Sequence, residues 1–211
     1  MTTTTQNPKS QTSAPKQSGF TPIPTRIRDL RDPQSAVPPL VVEPADLQKK
    51  QAVESSLLEL GTKLAEIHRT AAEAYLSQGN YEGSLPHLEA AVSMTPGESE
   101  YQHLAGVVRY MTGDDAGAVK AFNTVLTKEP QNNEAWFNLG MVLFGQNQFA
   151  DAETCFGRSL TISPNEAQTW NNRGVCLWRM GRSADAKVCF QRALQIDAND
   201  VDAKYNLQNL A

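Results

Sequence analysis

The sequence predicts an all-α fold in which about four helix pairs stack into a solenoid behind an N-terminal arm. Three observations predict it. From residue 65 onwards the same residue types return every 34 positions, which is typical of repeat architectures. Within each repeat the apolar residues follow the 3.6-residue period of a helix. Before residue 46 both patterns are absent, and eight of the twelve prolines lie in that segment.

The segment 1–45 is predicted to be a disordered Pro/Thr-rich arm. It carries a net charge of +2, whereas residues 46–211 carry −6. Its composition cannot bury enough apolar surface to offset the loss of chain entropy. The apolar residues within "GFTPIPTRIRDL" indicate either a short docking segment or a plain spacer. The candidate docking residues are Phe20, Ile23, Ile27 and Leu30.

A leading helix is predicted over about 46–60, in a non-repeated segment that extends to residue 64. Asp46 is a plausible N-cap, and the run from Leu47 to Leu60 contains neither Pro nor Gly. Gly61 either ends this helix or lies within a longer one.

Four repeats are predicted at 65–98, 99–132, 133–166 and 167–200, each with two helices. The first helix carries a small residue that allows close helix approach: Ala72, Gly106, Gly140 and Gly174. The turn carries a residue suited to a left-handed backbone: Gly79, Gly113, Asn147 and Gly181. The second helix carries a large apolar residue on its inner face: Leu88, Phe122, Phe156 and Phe190. Three units end in a helix-breaking proline: Pro96, Pro130 and Pro164.

Residues 201–211 are too few for another helix pair. They are predicted to form a shortened helix that caps the array. Tyr205, Leu207 and Leu210 are expected to pack against the fourth repeat.

At these columns the chain resembles the tetratricopeptide repeat family, over about residues 65–200. The third repeat fits best, whereas the first two have His68 and Gln102 where an early Trp is expected, and the fourth ends in Ala198 instead of Pro. The resemblance implies a right-handed solenoid whose first helices line a concave groove. It also implies that the protein binds other proteins.

The predicted groove contains an asparagine ladder, formed by Asn138, Asn172 and Asn206 at 34-residue spacing. A side-chain amide both donates and accepts hydrogen bonds, and the resemblance implies that such a ladder holds the backbone of an extended peptide. The alternative is that this Asn is common in the family whether or not a ligand binds. The other predicted groove residues are Tyr110, Phe137, Met141, Phe144, Val175, Trp178 and Arg179. Most are apolar, and some are expected to belong to the core.

One function of this family is disfavoured. Members that bind the acidic C-termini of heat-shock chaperones hold two carboxylates with Lys, Arg and Asn. Arg69 fits one of these places, but Glu73 stands where an Asn is expected and Glu134 where a Lys is expected. These acids would repel a carboxylate ligand.

The sequence contains no motif for catalysis, so we expect neither an enzyme nor a cofactor. It lacks a phosphate-binding loop and the motifs of metalloproteases and serine hydrolases. Three cysteines without a CxxC pair predict buried thiols in a reducing cytoplasm rather than disulfides or a metal site. The net charge of −4 disfavours nucleic acid as a partner. No apolar run approaches the roughly 20 residues needed to insert into a membrane.

The protein is therefore predicted to be an adaptor, scaffold or assembly factor that binds a linear segment of a partner protein. Two alternatives remain open. One is a secretion-type chaperone that keeps an export substrate unfolded. The other is a homo-oligomeric scaffold in which the arm docks on a neighbouring subunit.

Overall fold

The structure is a computed structural model that describes residues 44–210. The chain divides into two units, Met1–Lys49 and Lys50–Ala211, and only residues 44–49 of the first are described. The candidate docking residues Phe20, Ile23, Ile27 and Leu30 lie outside the described residues. Residues 44–210 form nine helices and no strand, which confirms the all-α prediction. The helices are α1 (Pro44–Ser77), α2 (Tyr81–Met94), α3 (Ser99–Met111), α4 (Asp115–Lys128), α5 (Asn133–Gly145), α6 (Phe149–Ile162), α7 (Ala167–Arg179), α8 (Ser183–Ile196) and α9 (Val201–Gln208).

The first helix begins earlier than predicted, and at Gly61 it follows the longer of the two predicted alternatives. It begins at Pro44, because proline is well suited to the first helical position. Asp46 therefore lies in the first turn, and its prediction as the N-cap is wrong. The helix also continues through Gly61, since one glycine costs only about 1 kcal/mol in a helix interior. A Cβ added at Gly61 would lie 3.6 Å from the carbonyl oxygen of Met94 at the end of α2.

The turn within each unit has one conserved geometry across the four repeats. The backbone is left-handed at Gly79, Gly113 and Gly181 and also at Asn147, where φ is 60°. In the second unit the N–H of Gly113 donates to the carbonyl of Tyr110 at 3.1 Å, and the N–H of Asp114 donates to that of Arg109 at 2.8 Å. These two bonds make a Schellman C-cap, which the glycine column predicted.

In units two to four the two helices meet where a glycine of the first faces a phenylalanine of the second. A Cβ added at Gly140 would lie 2.7 Å from Cε1 of Phe156, and real Cβ atoms do not come that close to a ring. The whole phenylalanine column is fully buried: Phe122, Phe156 and Phe190. The small residue is therefore required for close helix approach, as the sequence predicted.

Neighbouring units are joined through their tryptophans and their second helices. The indole Nε1 of Trp136 donates to the carbonyl of Pro130 at 2.9 Å, and Trp170 donates to Pro164 at the same distance. The second helix of each unit packs on the first helix of the next, as α2 does on α3, α4 on α5 and α6 on α7.

The last helix caps the array with only part of its predicted face. Leu207 and Leu210 pack against the cluster of Leu177 and Phe190. Tyr205 is 64% exposed, so its predicted packing is wrong. It lies two residues from Leu207, which turns it to the opposite side of the helix.

Candidate functional site

The first helices of units two to four and the capping helix lie side by side. We call α3, α5, α7 and α9 the first-helix row. All of the predicted groove residues belong to these helices. Contacts join α3 to α5 and α7 to α9, and side-chain hydrogen bonds join each helix to the next. The row is therefore a continuous surface on which these residues are brought together.

The asparagine ladder provides those hydrogen bonds. Nδ2 of Asn138 donates to Nε2 of His103 at 2.9 Å, and Nδ2 of Asn206 donates to Oδ1 of Asn171 at 2.9 Å. Each of these acceptors stands 35 residues earlier in the chain. Asn138 and Asn206 thus join successive helices of the row.

The middle asparagine has a different partner for a simple reason. The residue 35 positions before Asn172 is Phe137, whose ring offers no acceptor. Asn172 donates instead to Sδ of Met141 at 3.3 Å. Within residues 44–210, the side-chain oxygens of Asn138, Asn172 and Asn206 receive no protein hydrogen bond.

This arrangement needs a neutral His103, and burial of the ring favours that form. Burial lowers its pKa, while the nearby carboxylates of Glu134 and Glu129 act in the opposite direction. Neutral imidazole leaves Nε2 as an acceptor when Nδ1 carries the proton. The ring also lies 5.6 Å from that of Phe122, so the polar contact borders the core.

The apolar residues of the predicted groove are half-buried. The ring of Phe137 lies 5.8 Å from that of Phe156, and the ring of Phe144 meets Phe149 edge-on at 5.5 Å. Met141 packs against the same buried cluster. Each of these side chains contacts the core on one side and keeps some surface in solvent.

The remaining predicted groove residues follow the same pattern, with one exception. Tyr110 packs on the cluster around Phe122. Val175 and Trp178 pack on the cluster around Phe190. Arg179 is exposed at the end of α7.

A surface cavity of about 320 Å³ lies between α5 and α7. It brings together two predicted groove residues, Phe137 and Asn138, with polar side chains from the start of each helix. The other lining residues are Asn133, Glu134, Glu166, Gln168 and Thr169. Sequence reasoning also places Glu134 and Gln168 on the predicted groove face, but it missed Asn133, Glu166 and Thr169. The signal that could have identified them is their position at the starts of consecutive first helices, because equivalent turns of adjacent helices face each other.

Unit one carries a compact ion-pair cluster on its first helix. Arg69 pairs with both Glu66 and Glu73, and Tyr101 donates to Glu66 at 3.3 Å. The hydrogen bond from Arg69 lowers the pKa of Glu66. Arg69 is thus already engaged by two carboxylates.

The three thiols are buried, as the sequence predicted. Burial raises the pKa of Cys155 to about 11 and that of Cys176 to about 12, and it also raises the pKa of Cys189. In the described part of the chain, no group of three His, Cys, Asp or Glu side chains is arranged to hold a metal ion. No helix among residues 44–210 combines the length and apolarity needed to cross a membrane.

Two family models described as "Tetratricopeptide repeat" match the chain, one over residues 69–133 and one over residues 131–199. No curated protein gives a significant match. Among solved structures, MamA of Desulfovibrio magneticus RS-1 from residue 41 is 20% identical with a TM-score of 0.67, covering 69% of this chain and 82% of that one.

Two further structures are similar and carry descriptions of binding. YrrB, described as a TPR protein with an unusual peptide-binding site, is 19% identical with a TM-score of 0.64, covering 77% of this chain and 87% of its own. The first TPR of Spaghetti (RPAP3), bound to the HSP90 peptide SRMEEVD, is 18% identical with a TM-score of 0.52, covering 53% and 89%. These similarities confirm the predicted helical solenoid.

Proposed function

Since this chain belongs to the tetratricopeptide repeat family, we propose that it is a non-catalytic protein-interaction module. Its first-helix row binds a linear segment of a partner protein. The protein acts as an adaptor, scaffold or assembly factor. It works in a reducing compartment such as the cytoplasm, where three unpaired thiols are compatible with folding.

The cavity between α5 and α7 carries this proposal. It combines the ring of Phe137 with the amide of Asn138 and the carboxylate of Glu134. Binding sites typically join apolar area to a few placed polar groups. The ladder amides support the same role, because each still has a side-chain oxygen with which to accept a backbone N–H. Two similar structures are described as peptide-binding.

Apolar contact sets the affinity, and the amides set the register of the bound segment. One net hydrogen bond contributes about 0.5–1.5 kcal/mol, so three ladder contacts contribute a few kcal/mol at most. Burial of about 400 Å² of apolar surface contributes roughly 10 kcal/mol before the costs of association. Phe137 and Phe144 therefore matter more than Asn138.

The charge of the site favours a segment that carries a basic residue. Glu134 and Glu166 both line the cavity, and a cationic side chain placed there gains from both. An acidic C-terminal tail would be repelled by these residues. It would also find Arg69 paired with Glu66 and Glu73.

Affinity capture with paired baits tests the proposal. One bait is the full chain, and the other carries Phe137→Ala, Asn138→Ala, Phe144→Ala and Asn172→Ala. A matched control carries Val188→Ala, since Val188 is an exposed apolar residue of a second helix. Circular dichroism first confirms that all three baits are folded.

The expected result is a partner that the wild type and the control enrich and the quadruple variant loses. Equal recovery on all three baits would move the function away from the first-helix row. Once the bound segment is identified, calorimetry should give a micromolar Kd. Phe137→Ala should raise this Kd more than Asn138→Ala does. A partner that is stable alone identifies an adaptor, whereas one that unfolds alone identifies an export chaperone.

A further inference from the structure

The first helix of unit one lacks a cover that the corresponding helices of units two to four possess. Tyr101 packs against Ala91 of α2, and Ala135 packs in the cluster of Phe122 on α4. The equivalent residue of unit one, 34 positions before Tyr101, is Ile67. Ile67 is 64% exposed, so no described element takes the place of a preceding second helix.

This open face belongs to a longer apolar stripe along α1. Its residues are spaced alternately by four and three over three heptads. We call them the α1 stripe: Val53, Leu57, Leu60, Leu64, Ile67, Ala71 and Ala74. The five large members are each between 40% and 64% exposed. Alternate spacing by four and three is the pattern of the seam in a two-stranded coiled coil.

We propose that a second copy of this chain covers the α1 stripe, so that α1 packs against α1 of its partner in a short coiled coil. The stripe is self-complementary, as an interface between identical subunits with two-fold symmetry requires. Its 22 residues span about 33 Å of helix, which allows six to seven side-chain layers between the two copies. This self-association is separate from ligand binding by the first-helix row.

The N-terminal arm is a poorer occupant of the stripe. Coverage from Val53 to Ile67 requires a partner helix of about 15 residues. Residues 1–43 contain seven prolines, and their longest proline-free run is the eight residues 25–32. Proline in a helix interior removes a hydrogen bond and clashes with the preceding turn. Among residues 44–210, α1 is the helix that presents an exposed apolar stripe of the required length.

The flanks of the stripe permit two copies to approach. Residues beside the seam include the small side chains of Ser56, Gly61 and Thr70. Glu54 and Lys63 lie there too, and each is paired within its own helix, with Lys50 at 3.8 Å and with Glu59 at 2.6 Å. His68 turns away to Nδ1 of His87 at 3.0 Å. No block of like charge therefore faces its own copy.

Sedimentation equilibrium of the full chain tests the proposal over roughly a hundredfold range of concentration. The wild type should approach twice the 23.1 kDa chain mass. Leu60→Asp places two desolvated carboxylates in the seam and should weaken the dimer at least about tenfold. Leu58→Asp is the matched control, because Leu58 is 68% exposed but lies outside the four-three pattern. Both sites are exposed, so folding should be retained, which circular dichroism checks.

A wild-type monomer at every concentration would overturn the proposal. Equal weakening of the dimer by Leu60→Asp and Leu58→Asp would also overturn it. A third variant tests whether the arm forms the contact between subunits. It carries Phe20→Ser, Ile23→Ser, Ile27→Ser and Leu30→Ser. If this variant is monomeric while Leu60→Asp remains a dimer, the arm forms the contact and the proposal fails. Loss of the dimer without loss of partner capture leaves the proposed function intact, so the two outcomes are separable.

Discussion

A Cβ added at Gly174 would lie 2.6 Å from Cε1 of Phe190, so the phenylalanine ring requires glycine at position 174. The same pairing occurs in units two and three. Unit one reaches the same close approach with Ala72 against the smaller Leu88, both buried. At this pair of positions the four repeats therefore keep the combined size of the two side chains, whereas the residue type at each position varies.

Gly140→Ala is expected to lower the free energy of unfolding by about 1–2 kcal/mol. Overpacking costs about 1–3 kcal/mol, and the better helix propensity of alanine returns up to about 1. Urea unfolding measures the change. Unit one has Leu88 at the position equivalent to Phe156, so Phe156→Leu is the substitution expected to compensate for the added methyl group.

A double-mutant cycle separates the clash from other effects. Gly140→Ala combined with Phe156→Leu should be more stable than the sum of the two single changes predicts, with a coupling of at least about 0.5 kcal/mol. Additive effects would show that the ring does not restrict residue 140.

Asn147→Gly is expected to stabilise the protein, and Asn147→Ala to destabilise it. Asn147 has a φ of 60° in a turn where the other units use glycine. The left-handed conformation costs an ordinary residue about 1–2 kcal/mol, which glycine avoids. Melting temperatures of the two variants should move in opposite directions. A shift of the same sign in both would contradict the shared turn geometry.

Stability should fall as the pH drops below about 6.5, the ordinary pKa of histidine. Burial lowers the pKa of His103 in the folded state, so the unfolded chain takes up its proton first. The contribution is present above the unfolded pKa and is lost as the pH falls towards the folded one. Unfolding free energies across this range measure the slope.

His103→Asn is the control for that slope. Asn171 occupies the equivalent place in α7 and accepts from Asn206, so asparagine at 103 keeps an acceptor for Asn138 without titrating. The variant should show a shallower pH dependence than the wild type. Identical slopes would assign the effect to other groups.

The thiols are expected to resist alkylation in the native protein at neutral pH. Burial raises the pKa of Cys155 to about 11 and that of Cys176 to about 12, so the reactive thiolate is scarce. Mass spectrometry after iodoacetamide treatment should show little labelling until urea is added, when all three cysteines react. Rapid labelling of folded protein would contradict their burial.

The repeat columns predicted the helix pairs, the left-handed turns and the buried phenylalanines, because each column reflects one local requirement. The bounds of α1 were harder to predict. Nothing in the local sequence decides whether Gly61 ends a helix, since a helix interior tolerates one glycine at a cost of about 1 kcal/mol. Tyr205 was placed wrongly because an apolar residue in a short helix has no period long enough to fix its face.

The candidate site was predicted only in part. The helix period predicts which residues face the groove. Their half-burial depends on rings from other helices, as when Phe137 packs against Phe156 of α6. The acceptors of Asn138 and Asn206 lie 35 residues away, one more than the repeat. A comparison at the repeat period alone aligns equivalent residues and therefore misses contacts between successive units.

The indole hydrogen bonds have a consequence for how the array comes apart. Trp136 and Trp170 fasten the junctions before units three and four, whereas Gln102 and His68 stand at the same positions of units two and one. Fraying should therefore begin at the N-terminal end of the array and advance towards α5, leaving the C-terminal half as the last part to exchange its amide hydrogens.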